Sequence, residues 1–204
     1  MRLVLIFILI HLAIGSAWSQ EAENVTMSKV NKAINNLKSQ GISNIGYKKD
    51  YCEGAVPISV KSKIDGHLTY PCNYHCTLYL FWQQGAKEYI RKYDACGESQ
   101  ALSVDSKELF EYPDRYFNIM KREKIKPFSA WSSDHGDRSD ILLFNKEDSL
   151  FKNLNLYDLR ETDYDKTKNQ SYSENKKLKF VQWEERLSAI IRKLEDEKKF
   201  KTSN

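Results

Sequence analysis

Thr77-Leu78-Tyr79-Leu80-Phe81-Trp82 is the strongest strand signal in the chain, followed by Gln84-Gly85 and then by Glu88-Tyr89-Ile90-Arg91-Lys92-Tyr93. The first run is apolar and aromatic, which suits a pleated buried surface. The Gly-containing pair supplies a tight turn, and the second run alternates as a strand with one wet face does. Upstream, Ala55 to Val60 is β-branched and apolar, and Asp65-Gly66 is a second turn signal. Together these predict an antiparallel meander in the middle of the chain.

Helical spacing flanks this sheet. In the segment Thr26 to Leu37, Val30, Ala33, Ile34 and Leu37 fall on one face, Thr26 or Ser28 is available as a cap, and Gly41 is placed to end the helix. Beyond the meander, Pro113 suits the first turn of a helix carrying Tyr116, Phe117 and Met120 on one side. Strands are expected at Asp140 to Phe144 and at Leu154 to Leu159. Residues 161–175 are polar and poor in aliphatics and read as a loop or linker. From about Glu174 onward, Phe180, Trp183, Leu187, Ile190, Ile191 and Leu194 form one apolar stripe, which predicts a C-terminal amphipathic helix docked on its own domain. The predicted fold class is therefore α+β: an antiparallel β-meander stapled by two disulfides, with an N-terminal helix and a C-terminal amphipathic helix.

The chain has 204 residues and opens with Arg2, an apolar run from Leu3 to Ile14, and small residues ending in Ala17-Trp18-Ser19. That is the grammar of an export signal, too short and too soon interrupted for a membrane span. The expected organisation is a signal peptide over 1–19, an α+β domain over 20–160, a polar loop or linker over 161–175 and a docked helix over 176–204. The expected location is secreted or periplasmic, with no transmembrane span in the mature chain. The formal net charge is +4, and loss of Arg2 with the leader lowers it by one. Near-neutrality gives no warrant for nucleic-acid binding.

Export makes the four cysteines, Cys52, Cys72, Cys76 and Cys96, read as structural disulfides. Residues facing each other in an antiparallel hairpin share one position sum, and turns at Asp65-Gly66 and Gln84-Gly85 ask for 131 and 169. The crossed pairing Cys52–Cys76 and Cys72–Cys96 has sums of 128 and 168, nearer than the 124 and 172 of Cys52–Cys72 and Cys76–Cys96. A metal site formed by His67, Cys72, His75 and Cys76 is the alternative, although its spacing fits no common zinc module.

A second candidate site is Ser132 to Asp140, where His135 with Asp134 or Asp137 offers a general base and Asp134, Asp137 and Asp140 offer oxygens to a hard cation. The same residue types also build ordinary surface turns. Tyr70, Tyr74, Tyr79, Tyr89 and Tyr93 cluster near the meander, either as core or as an exposed aromatic face. Asn24-Val25-Thr26 and Asn169-Gln170-Ser171 match the N-glycosylation pattern, with Asn169 expected to be accessible. Phosphate-loop, dinucleotide and zincin signatures are absent. The expected function is an exported, non-enzymatic module binding a protein or small ligand without a cofactor. The alternatives are a secreted hydrolase using His135 and a Cys/His metal-binding protein.

Overall fold

A computed structural model describes residues 24–53, 60–61, 68–69, 76–105, 107–128, 136–146, 148–162 and 166–201. The chain is α+β, with an antiparallel sheet and helices at both ends. Helix α1 spans 24–39. Gly41 ends it at φ +80°, with the Ile42 amide reaching back to the Leu37 carbonyl at 3.1 Å. That is the closure expected of a glycine just past a helix end.

The strands are β1 (Ile45–Glu53), β2 (Val60–Lys61), β3 (Leu68–Thr69), β4 (Cys76–Gln84), β5 (Lys87–Asp94), β6 (Gly97–Glu98), β7 (Leu102–Val104), β8 (Gly136–Asn145) and β9 (Asp148–Asn155). The main sheet runs β6-β5-β4-β1-β8-β9, with β7 also on β5, while β2 and β3 pair only with each other. Helix α2 spans Glu111–Arg122, a 3-10 turn spans Leu156–Leu159, and α3 (Tyr172–Asn175) and α4 (Lys179–Asp196) follow.

Alternation along the strands divides the core between the two faces. On one face Leu78, Leu80, Trp82 and Tyr93 meet Val30 and Ile34 of α1. On the other, Phe81, Ile90, Ile141 and Leu150 meet Phe117 and Met120 of α2 and Phe180, Trp183, Leu187 and Ile191 of α4. The apolar stripe read from the sequence thus buries in cis, and α4 lies across the sheet.

Several expectations change. The central strand β1, Ile-Gly-Tyr-Lys-Lys-Asp-Tyr-Cys-Glu, has no strand signature, yet it is hydrogen-bonded to β4 on one side and β8 on the other. The β4–β5 turn is Gly85-Ala86, one residue later than expected, with Gly85 at φ +62°. The expected strand over Leu154 to Leu159 is instead the end of β9 and the 3-10 turn. Here the Asn155 side chain accepts from the Tyr157 amide and ends the ladder by local competition. The segment 161–175 carries an isolated bridge, Thr162 to Lys168, and two buried asparagines.

The crossed disulfide Cys52–Cys76 is corrected. Register places Tyr51 opposite Cys76. Cys52, one position on, therefore points from the other face of the strand, exposed where Cys76 is buried. Among the described residues no two cysteines stand at disulfide distance. Cys72, and with it the Cys72–Cys96 pairing, lies outside the described residues, as do the turn Asp65-Gly66 and residues 1–23.

Candidate functional site

The predicted catalytic loop does not assemble within the described residues. Asp134 and His135 lie outside them, and Asp137 is already in β8, paired across the sheet with Cys52. Its carboxylate faces the Arg160 guanidinium at 3.2 Å, in an exposed ion pair. Asp140 is three positions along the same strand, so alternation puts it on the other face. There it takes hydrogen bonds from Asn153 Nδ2 at 2.5 Å and Tyr51 OH at 3.4 Å, with Lys49 Nζ at 4.0 Å. Asp137 and Asp140 cannot share a cation. Among the described residues, no group of three His, Cys, Asp or Glu side chains is arranged to hold a metal ion. Of the alternative metal set, His67, Cys72 and His75 lie outside the described residues, and Cys76 is buried at the start of β4.

The tyrosines do not form one stripe. Tyr70 and Tyr74 lie outside the described residues, and Tyr79 and Tyr93 are buried on opposite faces. Tyr89 stacks on Trp82 at 5.4 Å. Asn169, expected to be accessible, is 6% exposed. Its amide nitrogen donates to the carbonyls of Asp158 at 3.0 Å and Arg160 at 2.9 Å, and its oxygen accepts from the Ser171 amide. A glycan on that nitrogen is incompatible with these bonds.

Sequence reading missed the charged seam between the sheet and α4. Lys48, in the central strand and 4% exposed, donates to Glu184 Oε1 and Ser188 Oγ at 2.8 Å each and lies 3.2 Å from Asp50. Burial opposes the Lys48 charge, yet Asp50 and Glu184 together outweigh it and hold the ammonium above its ordinary pKa. Burial pushes the Asp50 carboxyl up, against the pull of Lys48. Further along, Tyr79 OH donates to Glu195 at 2.8 Å, and Lys92 Nζ lies 2.9 Å from the same carboxylate. Burial, reinforced by Glu195, holds the Tyr79 hydroxyl protonated far above its ordinary range. Every charge in this seam is committed to another, so its chemistry is that of a clamp.

Among the described residues, open grooves border α2 and α4. One, of about 430 Å³, lies beside α2 and is lined by Glu108, Glu111, Tyr112, Arg115, Tyr116 and Arg186, among others. Four of its charges are paired, Arg115–Glu111 at 3.5 Å and Arg186–Glu108 at 3.6 Å, and Lys107 is not. The other, of about 530 Å³, lies between β7 and the C-terminal half of α4. Leu102, Val104, Ile190 and Leu194 give it an apolar floor, and Asp105, Lys193, Glu197 and Lys199 stand around it. These four charged residues make no ion pair among the described residues. The alternation in Leu102-Ser103-Val104 was the available sequence signal, and three residues are too few to register as a strand.

No protein-family model, curated protein or solved structure matches this chain. Among the described residues, no helix is long and apolar enough to cross a membrane.

Proposed function

We propose that the chain is an exported, non-enzymatic interaction module that recognises its partner through the groove between β7 and α4. The observation that carries this is the groove's combination of an apolar floor with four charged residues not engaged in ion pairs. In the α2 groove, by contrast, Glu108, Glu111, Arg115 and Arg186 are paired within the fold and only Lys107 is not. Apolar pockets rimmed by uncommitted polar groups are where binding sites form. The hydrolase alternative loses support because Asp137 is committed to Arg160 and separated from Asp140 by the sheet.

Export, to a secreted or periplasmic location, is supported by the leader-like residues 1–19. In this reading Cys72–Cys96 is a structural bridge, supported by the disulfide-bonded state of Cys96. Closing a loop of this size stabilises by roughly 3 kcal/mol in the chain-entropy picture.

Selection of a displayed library of linear peptides against the purified mature chain tests the groove. Peptides should be recovered that bind the parent and lose at least about tenfold in affinity for Ile190→Glu and Leu194→Glu variants shown to be folded by circular dichroism. Recovery of no binder, or of binders indifferent to both substitutions, rejects the reading.

A further inference from the structure

We infer that the groove takes an extended peptide, which adds to the outer edge of β7 as a further strand. This rests on the reading that the β7–α4 groove is the recognition surface. Asp94 pairs with Gly97 across a two-residue turn, and the Ser99 amide donates to the Lys92 carbonyl at 2.9 Å. Residues of β5 alternate in direction, so Ile90 and Glu88 bond inward to Leu102 and Val104. Ser103 is then left with its N–H and C=O turned outward. β7 pairs with β5 and with no other strand among the described residues.

The register shows how this edge is prepared. Paired positions sum to 191 in β5–β6 (Tyr93 with Glu98) and to 192 in β5–β7 (Ile90 with Leu102). One extra residue is therefore inserted between β6 and β7, which is a β-bulge. The bulge turns the Gln100 amide outward, where it donates to the Lys201 carbonyl at 3.3 Å. The chain's own tail thus supplies a backbone acceptor at the adjacent position of this same edge.

Residues 199–201 do not fill the groove. Lys199 lines the groove and Lys201 sits at Gln100, so the chain is heading away from Leu102–Val104. The outward Ser103 groups beside an apolar floor suit an extended segment of a partner, which continues the backbone contact begun by the tail. Strand addition supplies affinity through the main chain and specificity through alternate side chains. An apolar side chain of the peptide would rest on Leu102, Val104, Ile190 and Leu194. Two cations and two anions around that floor complement a segment carrying charges of both signs beside its apolar residue.

A peptide recovered by the selection above, remade with single backbone N-methyl groups along its length, provides the test. Strand addition requires losses of about tenfold or more at alternate positions, together with slowed hydrogen exchange at the Ser103 amide on binding. Ser103→Pro, which removes the outward donor, should weaken the unmodified peptide to a similar degree. Tolerance of N-methylation at every position overturns the strand model. If Leu194→Glu still abolishes that binding, the groove reading survives without it. If no peptide is recovered, both fall together. The N-methyl series leaves the protein intact and so decides the matter even if Ser103→Pro unfolds.

Discussion

Gly46 shows how a single residue sets the closeness of packing at the centre of the sheet. A Cβ added there would meet the Phe81 ring at 2.4 Å and the Leu142 carbonyl oxygen at 2.9 Å. Phe81 is fully buried and in edge contact with Trp183 at 6.1 Å between ring centres, so it has nowhere to retreat. Gly46→Ala should therefore destabilise the fold by about 1–3 kcal/mol, read as a lower midpoint in urea with an unchanged slope. A neutral result would mean that the ring shifts freely. Two positions on, Lys48 poses the opposite problem of a charge inside the core. Removing it in Lys48→Ala strands Glu184, whose side chain is only 7% exposed, and should cost about 3–5 kcal/mol. The double change Lys48→Met with Glu184→Leu should recover most of that loss in a denaturation cycle. A double loss equal to the sum of the single losses Lys48→Met and Glu184→Leu would show that the pair is not coupled.

At the scale of elements, the ends of the helices are satisfied by residues distant in sequence. Leu178 precedes α4 without a side-chain cap. The Glu123 carboxylate, just past α2, accepts from the Lys179 and Phe180 amides at 2.8 Å each. An acid at a helix N-terminus is favoured by both the unpaired amides and the helix dipole. Glu123→Ala should cost about 1–2 kcal/mol and raise hydrogen exchange first at the opening turn of α4. Exchange that rises evenly along α4 would contradict this role. Glu88 does comparable work before α2, accepting from the Leu109 and Phe110 amides at 3.2 and 3.1 Å. Asn175 joins Lys126 to Asp158 through three hydrogen bonds and ties 161–175 down. Such caps leave no mark on a local sequence window because the partner lies far along the chain, 21 residues for Glu88 and Leu109 and 56 for Glu123 and Lys179.

The whole molecule gathers several carboxyls whose burial opposes ionisation. Asp50, Glu88, Asp114 and Asp158 are all held above their ordinary values, with burial the largest cause in each. A raised carboxyl binds its proton more tightly in the folded state, so its contribution favours the fold at low pH. That contribution is lost as pH rises from the unfolded value, near 4, through the folded one. Asp148 and Glu174 run the other way through their exposed ion pairs with Lys121 and Lys126. Salt screens those pairs. At high ionic strength, stability should fall as pH rises from about 4 toward neutrality, and Asp50→Asn should flatten the fall. A parent and variant with parallel pH profiles would remove Asp50 from this account. Lys48 contributes in the alkaline range, since its raised value supports the fold below its unfolded pKa and the support fades above the folded one.

What the sequence determined by itself was whatever local pattern controls. The apolar runs of β4 and β5, the α1 face with its terminating Gly41, the Pro113 helix and the long stripe of α4 are periodicities or terminal signals within a few residues. Each formed near its expected place. Tertiary structure decided what depends on partners far along the chain. β1 could not be read because Lys48, Lys49 and Asp50 look like a solvated turn, and only Glu184 and Ser188 of α4 and Asp140 of β8 make them a central strand. The Cys52–Cys76 pairing failed for the same reason. A position sum assumes regular two-residue hairpins, whereas a separate β2–β3 ribbon between β1 and β4 left Tyr51, and not Cys52, opposite Cys76. The groove beside β7 was hidden because one wall is a three-residue strand and the other is a helix some ninety positions away. Local free-energy preferences write elements into a sequence, while the burial of charge, strand register and concave surfaces arise only when distant segments meet.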